Sequence, residues 1–395
     1  MLARTWRRLR LTSVPKLFAD SRSSATPETE PFTGFELVFL GTGAGAPSIE
    51  RNASGLVLQL HGAAWLFDCG EGSQKQMFQS NVRATAIERI FLTHLHGDHI
   101  YGLPGLVCTL NSLCGPDIDR ETKLPTPKVL SIYGPRGVFA FLNTALNVSR
   151  ANMTNIRIAV HELVPLCDAR TIKRERGPIH ECLQHHLIHP DTSGDTPVWP
   201  ILDDANYRVR AGFLQHTVPC FGYVVEEQTR PGHINAALAK ARGLPPGPLY
   251  KQLKEGRAVP LPDGSLLEPT DVMTPPIRGR KAAILGDSSD SLAMTELARN
   301  ADVLVHESTL PHSMLAQAVP RGHSTSSMAG AFARLSNATL LVLTHFSSRF
   351  SYSRASARSV QSLVDEARAA SGRMAVVDAS DFLRVRIPRH DPRAK

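Results

Sequence analysis

Residues 91–110 read FLTHLHGDHIYGLPGLVCTL, and this stretch decides the fold. Three histidines and one aspartate lie within six residues of it, directly after an apolar run. His94 and His96 are two apart at the end of a predicted strand, so their side chains should point to the same side. Asp98 and His99 follow a glycine, where the chain can turn. Imidazole and carboxylate groups in this spacing favour Zn²⁺, with Mn²⁺ or iron as substitutes.

A centre with two metal ions needs more ligands than this loop supplies. Three further polar residues end apolar runs elsewhere: His216 after GFLQ, Asp287 after AAILG and His345 after LLVLT. Each alone is equally compatible with an ordinary turn residue at the end of a strand. Together with the loop they complete seven ligands, which suits two metal ions that share a bridging carboxylate.

The chain from Phe35 onwards reads as short strands, turns and helices. Apolar runs rich in β-branched and aromatic residues, such as FELVFLG (35–41), predict strands. The segments PRGVFAFLNTAL (135–146) and STSSMAGAFARL (324–335) predict helices. Strand clusters towards both ends, with helices interleaved, predict an α/β fold in which two sheets pack together and helices cover them.

Length and composition limit the class of protein. The chain has 395 residues, 42% of them hydrophobic, which is ample for one large domain of this kind. No run of about 18 uncharged apolar residues occurs, so no membrane span is predicted. The six cysteines lack CxxC spacing and are interpreted as reduced core residues. The net charge of +8 suits an anionic partner.

The first 34 residues differ from the rest in composition. They are rich in arginine, serine and threonine, and they contain no acid before Asp20. This composition is typical of a mitochondrial transit peptide, and a disordered basic leader is the alternative. The sequence therefore predicts a mitochondrial protein, with the cytosol or nucleus as the alternative location.

The ordered set of motifs resembles ribonuclease Z, the short form of the tRNA 3′-processing endonuclease, within the metallo-β-lactamase superfamily. The resemblance is carried by FLGTGAGAPS, FDCGEGSQKQ, THLHGDHIYGLPGL, SIYGP, ILGDSS, VLVHESTL, RGHSTSSMA and VLTHFSSRF. It implies a metallo-β-lactamase αββα sandwich, with a nuclease domain over residues 35–390. It also implies that precursor tRNA is the substrate, that 3′ trailers are removed from it, and that the protein is a homodimer.

The resemblance also implies roles for the candidate residues. It assigns two sets of three zinc ligands and one bridging ligand, which are His94, His96 and His216, then Asp98, His99 and His345, then Asp287. A hydroxide held between the metals would attack the phosphodiester, with Asp98 as its general base. His323 in RGHST would donate a proton to the leaving oxygen, and Glu307 in VHEST would position it. Asp68 in FDCGEG is interpreted as an outer support for the metal histidines.

Residues 230–257 carry the more specific signal. Six basic residues face one acid there, and the sequence PPGP interrupts the segment at 245–248. Spaced cations bind phosphates of a nucleic acid independently of its base sequence. The resemblance implies an exosite arm of two short helices around a stiff turn that grips tRNA, whereas the residues alone also fit a solvated helical hairpin. The predicted RNA contacts are Arg230, Lys240, Arg242, Lys251, Lys254 and Arg257.

Residues 167–206 show no clear periodicity, so a long, mobile surface insertion is expected there. Its histidines are interpreted as solvated, with metal binding as the alternative.

Two other functions are compatible with parts of the sequence. One is hydrolysis of a small thioester or lactam, which the basic arm and the GHST motif disfavour. The other is RNA binding without catalysis, which the complete ligand set disfavours.

Overall fold

The computed structural model describes residues 32–119, 121–166, 177–353, 356, 358–372 and 374–390. All but the last three residues of the expected leader lie outside these ranges. The described residues form two large sheets packed face to face, with helices on the outer faces. The predicted αββα sandwich is confirmed.

The first sheet has eight strands, antiparallel from β19 to β3 and parallel from β3 to β9. In spatial order they are β19 (Arg384–Arg386), β1 (Phe35–Gly41), β2 (Gly55–Leu60), β3 (Ala64–Phe67), β4 (Ile87–Phe91), β7 (Lys128–Pro135), β8 (Ile156–Leu163) and β9 (Leu183–Ile188).

The second sheet has seven strands, antiparallel from β10 to β15 and parallel from β15 to β18. In spatial order they are β10 (Val198–Asp203), β11 (Tyr207–Leu214), β12 (Cys220–Glu227), β15 (Lys281–Ile284), β16 (Val303–Glu307), β17 (Leu340–Thr344) and β18 (Ala375–Asp378). Two small hairpins pair β5 (Asp117–Ile118) with β6 (Pro125–Thr126) and β13 (Val259–Pro260) with β14 (Leu266–Leu267).

Eleven α-helices occur in the described ranges, and among these none has both the length and the apolar character needed to cross a bilayer. They are α1 (Ser73–Gln79), α2 (Gly97–Ile100), α3 (Leu103–Leu113), α4 (Val138–Val148), α5 (Ala236–Ala241), α6 (Leu249–Lys254), α7 (Pro269–Val272), α8 (Thr295–Ala298), α9 (Leu315–Ala318), α10 (Ser326–Leu335) and α11 (Val360–Ser371). The predicted helices at 135–146 and 324–335 correspond to α4 and α10.

The alternation of side chains along β1 explains the layering. Phe35, Leu37 and Phe39 point between the sheets, whereas Val38 and Leu40 point towards the helices on the outer face. Every residue of β1 is buried, as expected for a strand covered on both faces. A third apolar cluster lies between the second sheet and α10 and α11, so three cores separate four layers.

The expectation of an irregular insertion over 167–206 is wrong for its described part. Residues 177–206 contain β9 and β10, the edge strands of the first and the second sheet. Four of the six residues of β9 are exposed, and β10 contains a proline. Edge strands of this kind lack the apolar pattern of a buried strand, which explains why the sequence did not reveal them.

The basic arm contains the two expected short helices, α5 and α6, and extends further than its sequence signal. Arg230 pairs with Ile277 at its base, and Ile234 pairs with Met273, so the arm spans 230–277. Its small apolar core also draws on β13, β14 and α7, and consists of Ala239, Leu244, Leu253, Val259, Leu267 and Val272.

Candidate metal centre

Strand ends bring the candidate ligands together at one edge of the sandwich. The HxHxDH loop follows β4, Asp287 follows β15, and His345 follows β17. β4 and β17 are parallel to both of their sheet neighbours, and β15 is parallel to β16. The carboxyl ends of parallel strands open onto one crevice. His216 reaches the same crevice from the end of β11. The seven residues are therefore neighbours in space although they span 252 positions of the chain, from His94 to His345.

His94, His96 and His216 form the first group of ligand atoms. His96 Nδ1 lies 3.1 Å from His94 Nε2 and 3.2 Å from His216 Nε2. Burial holds the pKa of His94 well below its ordinary value, with the nearby imidazoles acting in the same direction. A neutral ring is the form that binds a metal.

Asp98, His99 and His345 form the second group. His345 Nε2 lies 3.4 Å from Asp98 Oδ2 and 3.4 Å from His99 Nε2. Asp98 belongs to the short helix α2, and its Oδ2 accepts a 2.7 Å hydrogen bond from the Gly45 amide. The loop after β1 therefore holds this carboxylate at the mouth of the centre.

Asp287 lies between the two groups. Its Oδ2 is 3.8 Å from His94 Nε2, 3.6 Å from His99 Nε2 and 3.3 Å from His345 Nε2. The ligand atoms within each cluster of three lie within 4.8 Å of one another, and Asp287 is shared between such clusters. Five imidazoles and two carboxylates converging in this way fit a zinc centre, since each nitrogen or oxygen can approach a cation placed among them.

Two residues of the centre, one support and one candidate ligand, have an unusual backbone conformation. Asp68 has φ 57° and His345 has φ 56°, both in the left-handed region that residues other than glycine rarely adopt. Such conformations persist where surrounding contacts fix them, and they concentrate at functional sites.

Asp68 contacts the candidate ligand His99 from outside the ligand set, in the supporting position that the sequence predicted. Its carboxylate accepts hydrogen bonds from the Thr93 amide at 2.8 Å and the Thr93 hydroxyl at 2.9 Å. His99 Nδ1 donates to Asp68 Oδ2 at 2.7 Å. This bond leaves His99 Nε2 facing the other ligands.

His323 and Glu307 lie beside the second group. His323 Nδ1 is 3.3 Å from Glu307 Oε1 and 3.7 Å from Asp287 Oδ2. Burial of the ring opposes protonation, but the hydrogen bond and the negative charge of Glu307 outweigh it and raise the pKa of His323 to about 9. Glu307 is itself buried and also accepts from the Ser288 amide at 2.7 Å.

Three contacts of the centre were not found in the sequence. Thr93 and Thr309 each bond both a buried carboxylate and a ligand histidine. The Gly322 carbonyl accepts from His216 Nδ1 at 2.7 Å. Both threonines stand within two residues of a candidate, in THLHGDH and HEST, and that proximity was the available signal.

The six cationic residues of the predicted RNA contact set all lie on the arm and are exposed. The structure therefore does not bring them to the metal centre. Glu255 pairs with both Lys251 and Arg257, so two of the six cations are partly neutralised.

Known proteins resemble this chain over most of its length. Zinc phosphodiesterase ELAC protein 1 of Mus musculus is 39% identical and covers 89% of this chain and 98% of its own. Ribonuclease BN of Proteus mirabilis is 40% identical and covers 80% and 90%. The sequence profile of the family described as anti-Pycsar protein Apyc1 matches residues 35–113, from β1 to the end of α3.

Solved structures agree in fold. Human tRNase Z, short form (ELAC1), is 32% identical, covers 89% of this chain and 99% of its own, and superimposes with a TM-score of 0.61. The metallo-β-lactamase fold protein YhfI from Bacillus subtilis has a TM-score of 0.54 at 17% identity, with coverages of 89% and 99%, and supports the fold alone. The chain therefore belongs to the ribonuclease Z family of zinc phosphodiesterases, hydrolytic nucleases with the metallo-β-lactamase fold.

Proposed function

We propose that this chain is an endoribonuclease that removes 3′ trailers from precursor tRNAs. The observation that carries the proposal is the convergence of seven candidate metal ligands in a chain that also bears a separate basic arm. The names of the relatives support the substrate, since the human structure is called a tRNase Z.

The centre would hold two divalent metal ions, Zn²⁺ by preference and Mn²⁺ as a substitute. His94, His96 and His216 would hold one ion, and Asp98, His99 and His345 the other, with Asp287 shared. Bound metal would supply a Lewis acid and lower the pKa of its bound water to about 7. The donor set supports this assignment, because imidazole and carboxylate are the ligands of catalytic zinc.

Asp98 and His323 would move the protons. Asp98 stands at the rim of the centre with one oxygen fixed by the Gly45 amide, so it can take a proton from the attacking water. His323 Nδ1 lies 3.7 Å from Asp287 Oδ2, and the Glu307 carboxylate favours the protonated form of this ring. A protonated imidazole can donate to the leaving ribose oxygen, whose expulsion otherwise creates an alkoxide.

The arm would bind the body of the tRNA. Arg230, Lys240, Arg242, Lys251, Lys254 and Arg257 are exposed on a unit with its own apolar core. Exposed cations on a preformed support bind phosphates and thereby release counterions from the RNA. This binding does not depend on the base sequence. The arm would therefore select a large polyanion, and the metal centre would cut one bond in it.

The location and assembly of the protein are further parts of the proposal. The arginine-rich composition of residues 1–34 supports mitochondrial import. Fusion of these residues to a fluorescent protein should give a mitochondrial signal, and a diffuse cytosolic or nuclear signal would contradict import. The family resemblance supports a homodimer, which light scattering should report as about twice the 43.1 kDa chain mass.

The test of the activity uses a precursor tRNA labelled at its 5′ end. The metal-loaded protein should release one shortened product that ends at the trailer junction. A protein that leaves the precursor intact but hydrolyses a thioester or a lactam would overturn the proposal.

A further inference from the structure

Two carboxylates of the metal centre have the same type of environment, although they belong to different sheets. Asp68 follows β3 in the first sheet, and Glu307 ends β16 in the second. Asp68 binds His99 directly, and Glu307 binds His323 directly. A threonine hydroxyl then connects each carboxylate to one more histidine.

The Thr309 hydroxyl can only accept a hydrogen bond from the His345 ring. A hydroxyl has one proton and two lone pairs. The Thr309 hydroxyl oxygen contacts Glu307 Oε2, and it lies 3.0 Å from the His345 carbonyl oxygen. Both of these partner atoms can only accept a hydrogen bond. The proton is therefore used on one of them, and the charged carboxylate is the stronger acceptor. The remaining contact, 3.0 Å to His345 Nδ1, must be a hydrogen bond donated by the ring.

This bond determines the tautomer of His345. When Nδ1 of a neutral imidazole carries the proton, Nε2 carries the lone pair. His345 Nε2 is the atom that lies 3.3 Å from Asp287 Oδ2 and 3.4 Å from Asp98 Oδ2. Nε2 is therefore the ring nitrogen that is left to bind a metal.

Thr93 determines the tautomer of His94 in the same way. Its hydroxyl donates to Asp68 Oδ2 at 2.9 Å and lies 3.1 Å from His94 Nδ1. With its proton used on the carboxylate, the oxygen accepts from His94 Nδ1, and His94 Nε2 is left with the lone pair. Both hydroxyls are buried, so water does not compete for these bonds.

We infer that Thr93 and Thr309 are positioning residues that set the tautomers of His94 and His345, one ligand in each metal group. Each threonine extends the reach of a single buried carboxylate from one histidine to two. The inference rests on the metal centre of the proposed function, but the tautomers can be read in the metal-free protein without measuring activity.

The experiment compares Thr93→Val and Thr309→Val with Thr93→Ser and Thr309→Ser. Valine keeps the branched shape and removes the hydroxyl, whereas serine keeps the hydroxyl. Thr42→Val is a matched control, because Thr42 is also buried and donates to a carboxylate, Asp381, at 2.8 Å. Metal affinity is measured by competition with a chromogenic chelator, and thermal unfolding of each metal-free variant shows whether it is folded.

Each valine variant should lose about 10–100-fold in metal affinity, the usual cost of removing an outer partner of a metal ligand. The serine variants and Thr42→Val should stay within a few-fold of wild type. Equal affinity of the valine and wild-type proteins, or equal losses in the serine and valine variants, would overturn the inference.

The ¹⁵N spectra of histidine-labelled, metal-free protein provide a second readout. His94 and His345 should show a protonated Nδ1 in the wild type and lose that preference in the corresponding valine variant. A wild-type spectrum with Nδ1 unprotonated on either ring would overturn the inference even if no variant folds. It would leave the proposed tRNA cleavage untouched, so the two failures are distinguishable.

Discussion

The metal centre and the arm are built on opposite physical principles. Ligands of the centre such as His94, His99 and Asp287 are buried, and the rings of His94 and His99 donate hydrogen bonds to Thr93 and Asp68. The cations of the arm stand in solvent, and the Lys251 side chain retains 84% of its accessible surface. Chemistry at a phosphodiester requires fixed geometry, whereas attraction to a polyanion requires only charge within reach. Losses at the centre should therefore be abrupt, and losses on the arm should be graded.

The largest effect is expected at Asp98, which would serve both as ligand and as base. Asp98→Ala should lower single-turnover cleavage of precursor tRNA by at least about 10²–10⁴-fold, the range of general-base catalysis alone. Binding measured by filter retention should survive, because the arm lies elsewhere. Asp263→Ala, at an exposed arm carboxylate, is the control and should cleave normally. Cleavage by Asp98→Ala within tenfold of wild type would contradict the assignment.

The next effect separates bond breaking from leaving-group protonation. His323→Ala should lose about 10²–10⁴-fold on precursor tRNA, because a ribose alkoxide is a poor leaving group without a proton. Hydrolysis of a p-nitrophenyl phosphodiester should fall much less, since the phenolate leaves unaided. His189→Ala, at an exposed histidine, serves as control. Equal losses on both substrates would show that His323 is needed for the metals or the fold instead.

A smaller and graded effect is expected on the arm. Replacing Lys240, Arg242, Lys251 and Lys254 with alanine should weaken binding of precursor tRNA at low salt. It should also reduce the slope of log affinity against log salt by somewhat less than about one unit per lost phosphate contact. Hydrolysis of the small chromogenic phosphodiester should remain near wild type, because that substrate cannot reach the arm.

A charge-matched control separates the effect of the arm from the effect of net charge. Alanine at Lys123, Arg150, Arg299 and Arg334 removes the same charge from exposed positions outside the arm. Its salt slope should stay close to wild type. If both quadruple variants change the slope equally, net charge and not the arm determines the affinity. Equal losses of the arm variant on both substrates would mean that the arm is structural.

The smallest effect is expected from removing the leader. A chain that begins at Phe32 contains every candidate ligand and the whole arm, so its turnover of precursor tRNA should match that of the full chain. The comparison is made with equal metal content per chain. A loss of more than a few-fold would show that residues 1–31 contribute to binding or stability, and not only to targeting.

Local patterns made much of the centre predictable. HxHxDH lies in one loop, and Asp287 and His345 end apolar strands whose carboxyl ends meet in this fold. Thr93 and Thr309 were not predicted, because a threonine near a strand end has many ordinary explanations and only the folded geometry shows its two partners. The same limit applies to the hydrogen bond from the Gly45 amide to Asp98, which joins residues 53 positions apart.

The sequence predicted the buried strands of the fold but not its edge strands. Apart from Glu36, β1 is apolar, because helices and a second sheet cover both its faces. β9 carries exposed polar residues on an uncovered edge, so its sequence resembles a loop. The arm was detected from its charge, but its later part, which supplies Val259, Leu267 and Val272 to the small core, has no such bias.

The central claim is that the seven-ligand centre cuts precursor tRNA at the trailer junction. The most direct measurement combines metal analysis with cleavage of a 5′-labelled precursor by the same protein preparation, before and after chelation. We predict about two metal ions per chain, a single product ending at the junction, no product after chelation, and recovery on adding Zn²⁺ or Mn²⁺. An intact precursor in the presence of a fully loaded centre, or cleavage that persists after the metals are removed, would contradict the account.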